Sequence, residues 1–212
     1  MARPVKTPRT YDSSRRKEQA RRNRLAVLEA ARSRFIAEGF AATTMSDIAA
    51  DAGVSVESVY KMFGTKSGLL KPIFDITIAG DDEPTPMAER ESIVQIIEEP
   101  DVMRKIDLYV ALLQRTRPRT GPVNVLIRDA AGADAVAADT FRATRGEYLT
   151  AMTMAAENLH STGRLKTTKN ETRDILWTVC SPEVFELLVL ERKWSLRRYG
   201  AFVASTLKNA LL

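Results

Sequence analysis

Two short helical segments lie between Thr44 and Gly64, joined only by Gly53-Val54-Ser55, and this junction constrains the 212-residue chain most tightly. Before it, Ile48, Ala49 and Ala52 share one helical face; after it, Val59 and Phe63 lie four apart on the inner face of a helix predicted over Val56–Phe63. Thr44 with Asp47 three residues on is an Asp form of the capping box, and Ser55 is placed to cap the second segment. Helices of about seven residues joined by a Gly-containing turn match the helix-turn-helix pattern. Upstream, Leu25, Leu28, Ala31, Phe35 and Ile36 predict a helix over Arg16–Glu38, stopped by Gly39.

Charge is concentrated at one end. Residues 1–24 hold nine basic side chains against Asp12 and Glu18, a surplus of +7 in a chain of net +5, so the other 188 residues carry −2. Residues 1–15 read as a disordered basic arm, since they carry few apolar groups with which to fold. A basic arm on a near-neutral body predicts contact with a polyanion, while a solubilising tail is the plainer alternative. The arm lacks the apolar face of a membrane-surface helix.

The rest of the chain is also helical in pattern, with no convincing strand alternation and no Asn-Gly or Asp-Gly hairpin signal. Thr65 can cap a fourth helix starting at Lys66, with a bend expected at Pro72. Residues 80–86 form a polar, Pro-rich break. Further helices are expected at 92–98, 101–116, 122–131, 134–161, 171–179, 182–192 and 196–211. The expected fold is all-α: a three-helix helix-turn-helix unit over 16–66, then a larger helical regulatory and dimerisation unit over 67–212, about nine to ten helices in total. One cysteine, Cys180, and one histidine, His160, argue against a zinc site and against catalysis by nucleophile and base. No cofactor, metal or catalytic residue is expected, and a cytoplasmic setting fits.

Thr44-Met45-Ser46-Asp47-Ile48-Ala49, Ala52-Gly53-Val54-Ser55, Val59-Tyr60-Lys61-Met62-Phe63, Lys66 and Leu69, with Ala30-Ala31, Phe35 and Gly39-Phe40 upstream, together resemble the DNA-binding domain of the tetracycline-repressor (TetR) family. Segments around Leu176-Trp177, Ser181 to Leu188 and Trp194 to Tyr199 look like the dimerising end of one branch of that family. Glu57, Met62 and Gly68 depart from the family pattern. The resemblance implies a homodimeric repressor of a palindromic double-stranded DNA operator, released by a small-molecule effector. A constitutive DNA-binding or nucleoid protein with a filled C-terminal core is the alternative, and a helical enzyme is a third class.

A helix placed in the major groove reads base edges with its outward side chains. Val56, Glu57, Tyr60 and Lys61 should face out, with Ser58 on the margin. Candidate DNA-binding residues are therefore Val56, Glu57, Ser58, Tyr60 and Lys61, together with Arg22, Thr44, Ser46, Ser55 and Lys66 at phosphates. Lys66 should open a helix, where free backbone N–H groups favour an anion. The hydroxyls of Thr44, Ser46 and Ser55 could equally be helix caps. Candidate ligand-binding residues are Tyr109, Arg128, Phe141, Tyr148, Met152 and Trp177, although aromatic and Met side chains at helical spacing serve as core as readily. Arg128 stands out in an apolar helix, and burial would require an acid beside it. Leu187, Leu188, Leu190, Leu196, Tyr199, Phe202, Val203, Leu207 and Leu211 offer more apolar surface than one face needs, as a dimer's four-helix bundle would use.

Overall fold

The computed structural model describes residues 13–80 and 89–212. The expected arm up to residue 12 and residues 81–86 of the expected break lie outside the described residues. The described chain is all-α: α1 (Ser13–Glu38), α2 (Met45–Ala52), α3 (Val56–Phe63), α4 (Leu70–Ala79), α5 (Glu91–Glu98), α6 (Val102–Ala131), α7 (Ala135–His160), α8 (Lys169–Val179), α9 (Pro182–Phe185) and α10 (Leu196–Leu211). No helix among the described residues is long and apolar enough to cross a membrane.

The first three helices follow from local signals. Thr44 accepts from the Asp47 N–H at 3.1 Å while the Asp47 carboxylate accepts from the Thr44 N–H at 3.0 Å, which closes the capping box. These hydrogen bonds hold the Asp47 carboxyl below its ordinary pKa. Gly53 ends α2 at φ +65°, with its N–H on Ala50 and the Val54 N–H on Ala49, a Schellman stop that turns the chain sharply. Ser55 caps α3 through the Ser58 N–H at 3.2 Å. Arg34 of α1 forks onto Asp51 of α2, with Nη2 2.9 Å from the carboxylate. Arg24 of α1 lies 4.8 Å above the Phe63 ring of α3.

Two apolar cores are separated along α6. Val27, Leu28, Ala31, Phe35, Ile48, Val59, Leu69, Ile73 and Phe74 pack together with Val123, Leu126, Ile127 and Ala130 from the second half of α6. The first half of α6 supplies Val102, Ile106, Val110 and Leu113 to a second core with Met152, Leu176, Phe185, Tyr199, Val203, Leu207 and Leu211. The first core thus crosses the boundary expected at residue 66.

Several element limits differ from expectation. α1 begins at Ser13, so residues 13–15 of the expected arm are helical. The segments 101–116 and 122–131 are one continuous helix with Pro118 and Pro122 inside it. Each proline removes one backbone donor, yet packing against α4, α7 and α10 holds the helix together through the gap. A 3-10 turn over Ser67–Leu69 leads into α4, so Pro72 falls in the first α-helical turn and imposes no break. The expected helix 182–192 is α9 followed by a π-helical turn over Glu186–Glu191.

Gly68, a departure from the family pattern, has a local cause. A Cβ there would lie 2.2 Å from the Phe63 carbonyl oxygen. Gly68→Ala should therefore force the turn after α3 apart and lower stability by about 2 kcal/mol, read as a lower urea midpoint. An unchanged midpoint would show that the turn yields without cost.

Candidate nucleic-acid interface and interior site

The helix-turn-helix presents α3 with one face sealed and one face bare. Val59 is fully buried against α1 and α2, and Phe63 and Met62 are partly covered. Glu57, Tyr60 and Lys61 are exposed, with Tyr60 51% accessible despite its large ring. Val56 and Ser58 are half-buried at the margin. The exposed stretch of α1 before Leu25 carries Arg15, Arg16, Lys17, Arg21, Arg22 and Arg24. Arg22 donates to Gln19 at 2.9 Å within the same helix. A basic helix thus leads to a short helix with a polar and aromatic outer face, as groove binding requires.

The hydroxyls expected at phosphates are largely engaged within the chain. Thr44 bonds Asp47, and Ser55 bonds the Ser58 backbone and lies 3.0 Å from the Ser58 hydroxyl. Ser46 is exposed in the first turn of α2. Glu57 bonds its own backbone N–H and Ser55 at the start of α3, which lowers its pKa. As a carboxylate at a helix N-terminus it also favours the helix dipole.

Lys66 is placed differently from a free phosphate contact. Its ammonium donates to the carbonyls of Phe40 at 2.7 Å, Thr43 at 2.9 Å and Ala41 at 3.2 Å, and lies 4.6 Å from the Phe40 ring. An ammonium has three N–H donors, and these three carbonyls use them all. Lys66 therefore ties the turn between α1 and α2 to the start of α4. No short sequence motif carries that signal, because the acceptors lie more than twenty residues upstream.

Four of the six expected ligand residues meet in the second core. Tyr109 donates to the Met152 sulfur at 3.5 Å, and the Tyr148 and Trp177 rings are 4.9 Å apart. Burial raises the pKa of both tyrosines. Phe141 and Arg128 lie elsewhere. Phe141 packs against the first core. Arg128 faces outward and forks onto Glu186 at 2.6 and 2.9 Å, with Asp129 beside it, so it is a partly exposed ion pair rather than an interior charge. Among the described residues, Arg117 carries a buried guanidinium, in a stretch that lies between two of the expected helices.

Burial raises the Cys180 thiol to about 12, which leaves it inert as a nucleophile. His160 ends α7 with its ring 3.0 Å from the Thr172 hydroxyl. No group of three or more metal-ligating side chains occurs among the described residues. A void of about 30 Å³ lies beside Lys105, Tyr109 and Leu176, and a groove of about 280 Å³ lies between α1, α4 and α6. The groove's arginines are already engaged, Arg32 by Glu29 and Arg119 by the Thr77 carbonyl.

Residues 27–73 match the family model for bacterial regulatory proteins of the tetR family. Over these residues the chain is similar to the N-terminal DNA-binding domain of that family. The chain is 34% identical over 96 residues to the HTH-type transcriptional regulator TtgR of Pseudomonas putida, covering 45% of this chain and 44% of that one. The alignment thus spans under half the length of this curated relative. The fold extends the likeness over nearly the whole chain. A TetR-family regulator from Agrobacterium tumefaciens superposes with a TM-score of 0.67 at 16% identity, covering 91% of this chain and all of that one. A protein from Saccharomonospora viridis solved in complex with choline gives 0.69 at 14% identity, covering 92% and 98%.

Lys66→Ala should lower stability by about 2 kcal/mol, since three carbonyls lose a charged donor, with a matching fall in the thermal midpoint. A variant as stable as the parent would remove the clamp role.

Proposed function

We propose that the chain is a homodimeric DNA-binding transcriptional repressor that leaves its operator when a small molecule binds its C-terminal unit. The outer face of α3 carries the reading: Glu57, Tyr60 and Lys61 stand exposed on a helix fixed from behind by Val59. In the major groove, Lys61 reaches a guanine edge or a phosphate, Tyr60 gives its hydroxyl to a phosphate, and Glu57 is tolerated where it accepts from a cytosine amine. The arginines of α1 supply the sequence-independent attraction.

Pairing of two copies is supported by apolar surface left uncovered at the C-terminal end. Leu187 is 53% exposed, Phe202 39% and Leu196 38%, and the Trp194 ring packs edge-on against Phe202. Tyr199, Val203, Leu207 and Leu211 are instead consumed by the chain's own core. A two-fold pair through this face would offer two α3 helices to a palindrome. The second reading, a constitutive DNA-binding protein without an effector, draws on the closed state of the second core, whose void of about 30 Å³ holds little more than water.

Lys61→Ala should weaken binding to duplex DNA and lessen the log–log salt slope by about one unit per chain if Lys61 meets phosphate, as read by fluorescence anisotropy. Parent-like affinity and slope would take α3 out of the groove. Leu187→Glu with Phe202→Glu should convert a dimer to monomers in sedimentation velocity. A double variant that sediments as the parent does would place the contact elsewhere.

A further inference from the structure

Arg117 sits on α6 where one core gives way to the other, and the residue is 6% exposed. Its Nη2 donates to the Cys180 carbonyl, and its guanidinium lies 5.7 Å from the Tyr148 ring. Its Nε has no hydrogen-bond partner. Among the described residues, no carboxylate oxygen lies within 4 Å of it; the neighbouring acids Glu186 and Glu183 pair with Arg128 and Arg145 instead. A guanidinium does not shed its proton in a protein, so the charge stays in the interior without a contacting counterion.

Other unsatisfied atoms come from the same neighbourhood. The Tyr199 hydroxyl of α10 is buried beside Arg117 without a well-aligned hydrogen bond, and Arg117 opposes the rise in its pKa that burial causes. Thr120 Oγ1, one turn along α6 from Arg117, is likewise buried and unpartnered. Glu183 gives one carboxylate oxygen to Arg145 and leaves the other buried and unpaired, while Arg145 lies 4.4 Å over the Trp177 ring. Buried polar groups are rarely left unpaired, so such a set marks an incomplete arrangement.

We propose that this seam recognises a small carboxylate-bearing effector, a conclusion that rests on the ligand-responsive reading above. The carboxylate accepts from Arg117 Nε and the Tyr199 hydroxyl. The free oxygen of Glu183 favours a second feature on the same molecule, a hydroxyl or amine donor, and disfavours a second acid. The rings of Tyr109, Tyr148 and Trp177 cover its carbon frame. Room is made by Met152 and Tyr109, the unbranched Met side chain being the most adaptable in the wall.

The test is thermal unfolding of the full chain with millimolar benzoate or 4-hydroxybenzoate, against benzyl alcohol as the neutral counterpart, in the parent and in Arg117→Met. The carboxylates should raise the parent's midpoint by about 3 °C, benzyl alcohol should not, and Arg117→Met should lose the response while unfolding no earlier than the parent without ligand. A parent blind to both carboxylates, an equal shift with benzyl alcohol, or a response kept by a folded Arg117→Met overturns the proposal. Should Arg117→Met not fold, Tyr199→Phe replaces it, with a reduced carboxylate shift expected and an unchanged one contradicting the proposal. Anisotropy on duplex DNA without added carboxylate separates the two conclusions. DNA binding without a carboxylate response defeats only the effector assignment, and an Arg117-dependent response without DNA binding defeats only the regulator.

Discussion

α6 packs against α1, α4, α5, α7, α9 and α10, and its two halves serve different cores. The change from one core to the other falls in the stretch Arg117-Pro118-Arg119-Thr120-Gly121-Pro122. Two residues apart, Arg117 reaches the Cys180 carbonyl in the second core and Arg119 reaches the Thr77 carbonyl near the end of α4. Neighbouring turns of one helix thus tie the second core to the C-terminal end of α4. Pro118 and Pro122 leave this stretch of α6 without two backbone donors.

The N-terminal unit was legible because its determinants are local. Caps, the left-handed glycine and the four-residue spacing of Val59 and Phe63 all act within one or two turns, and α2 and α3 fall where those signals put them. What could not be read there was long-range. Lys66 looks like a lysine at a helix start, and only folding brings the carbonyls of Phe40, Ala41 and Thr43 around its ammonium. Gly68 looks like a weak helix residue until the Phe63 carbonyl is placed against it.

The C-terminal unit yielded less. The expected helices end at 116 and resume at 122, so Arg117 falls in the gap between them, where sequence pattern gives its side chain no direction. Arg128 drew attention because its sequence neighbours are apolar, but successive residues point in different directions around a helix, and its side chain meets Glu186 instead of the interior. The rings of Tyr148 and Trp177 do meet, and aromatic character at helical spacing is enough to turn both inward. Which apolar residues of α10 serve the chain's own core and which remain for a partner is a tertiary matter, and sequence pattern presents them as one undivided set.

On the proposed function, two copies of α3 enter successive major grooves on one face of a duplex. A hydroxyl-radical footprint of the full chain on a duplex selected from random sequences measures this most directly. Two symmetric protected patches are expected, with centres about one helical turn, or a small multiple of it, apart. Uniform protection, or a single patch with no symmetry mate, would contradict it.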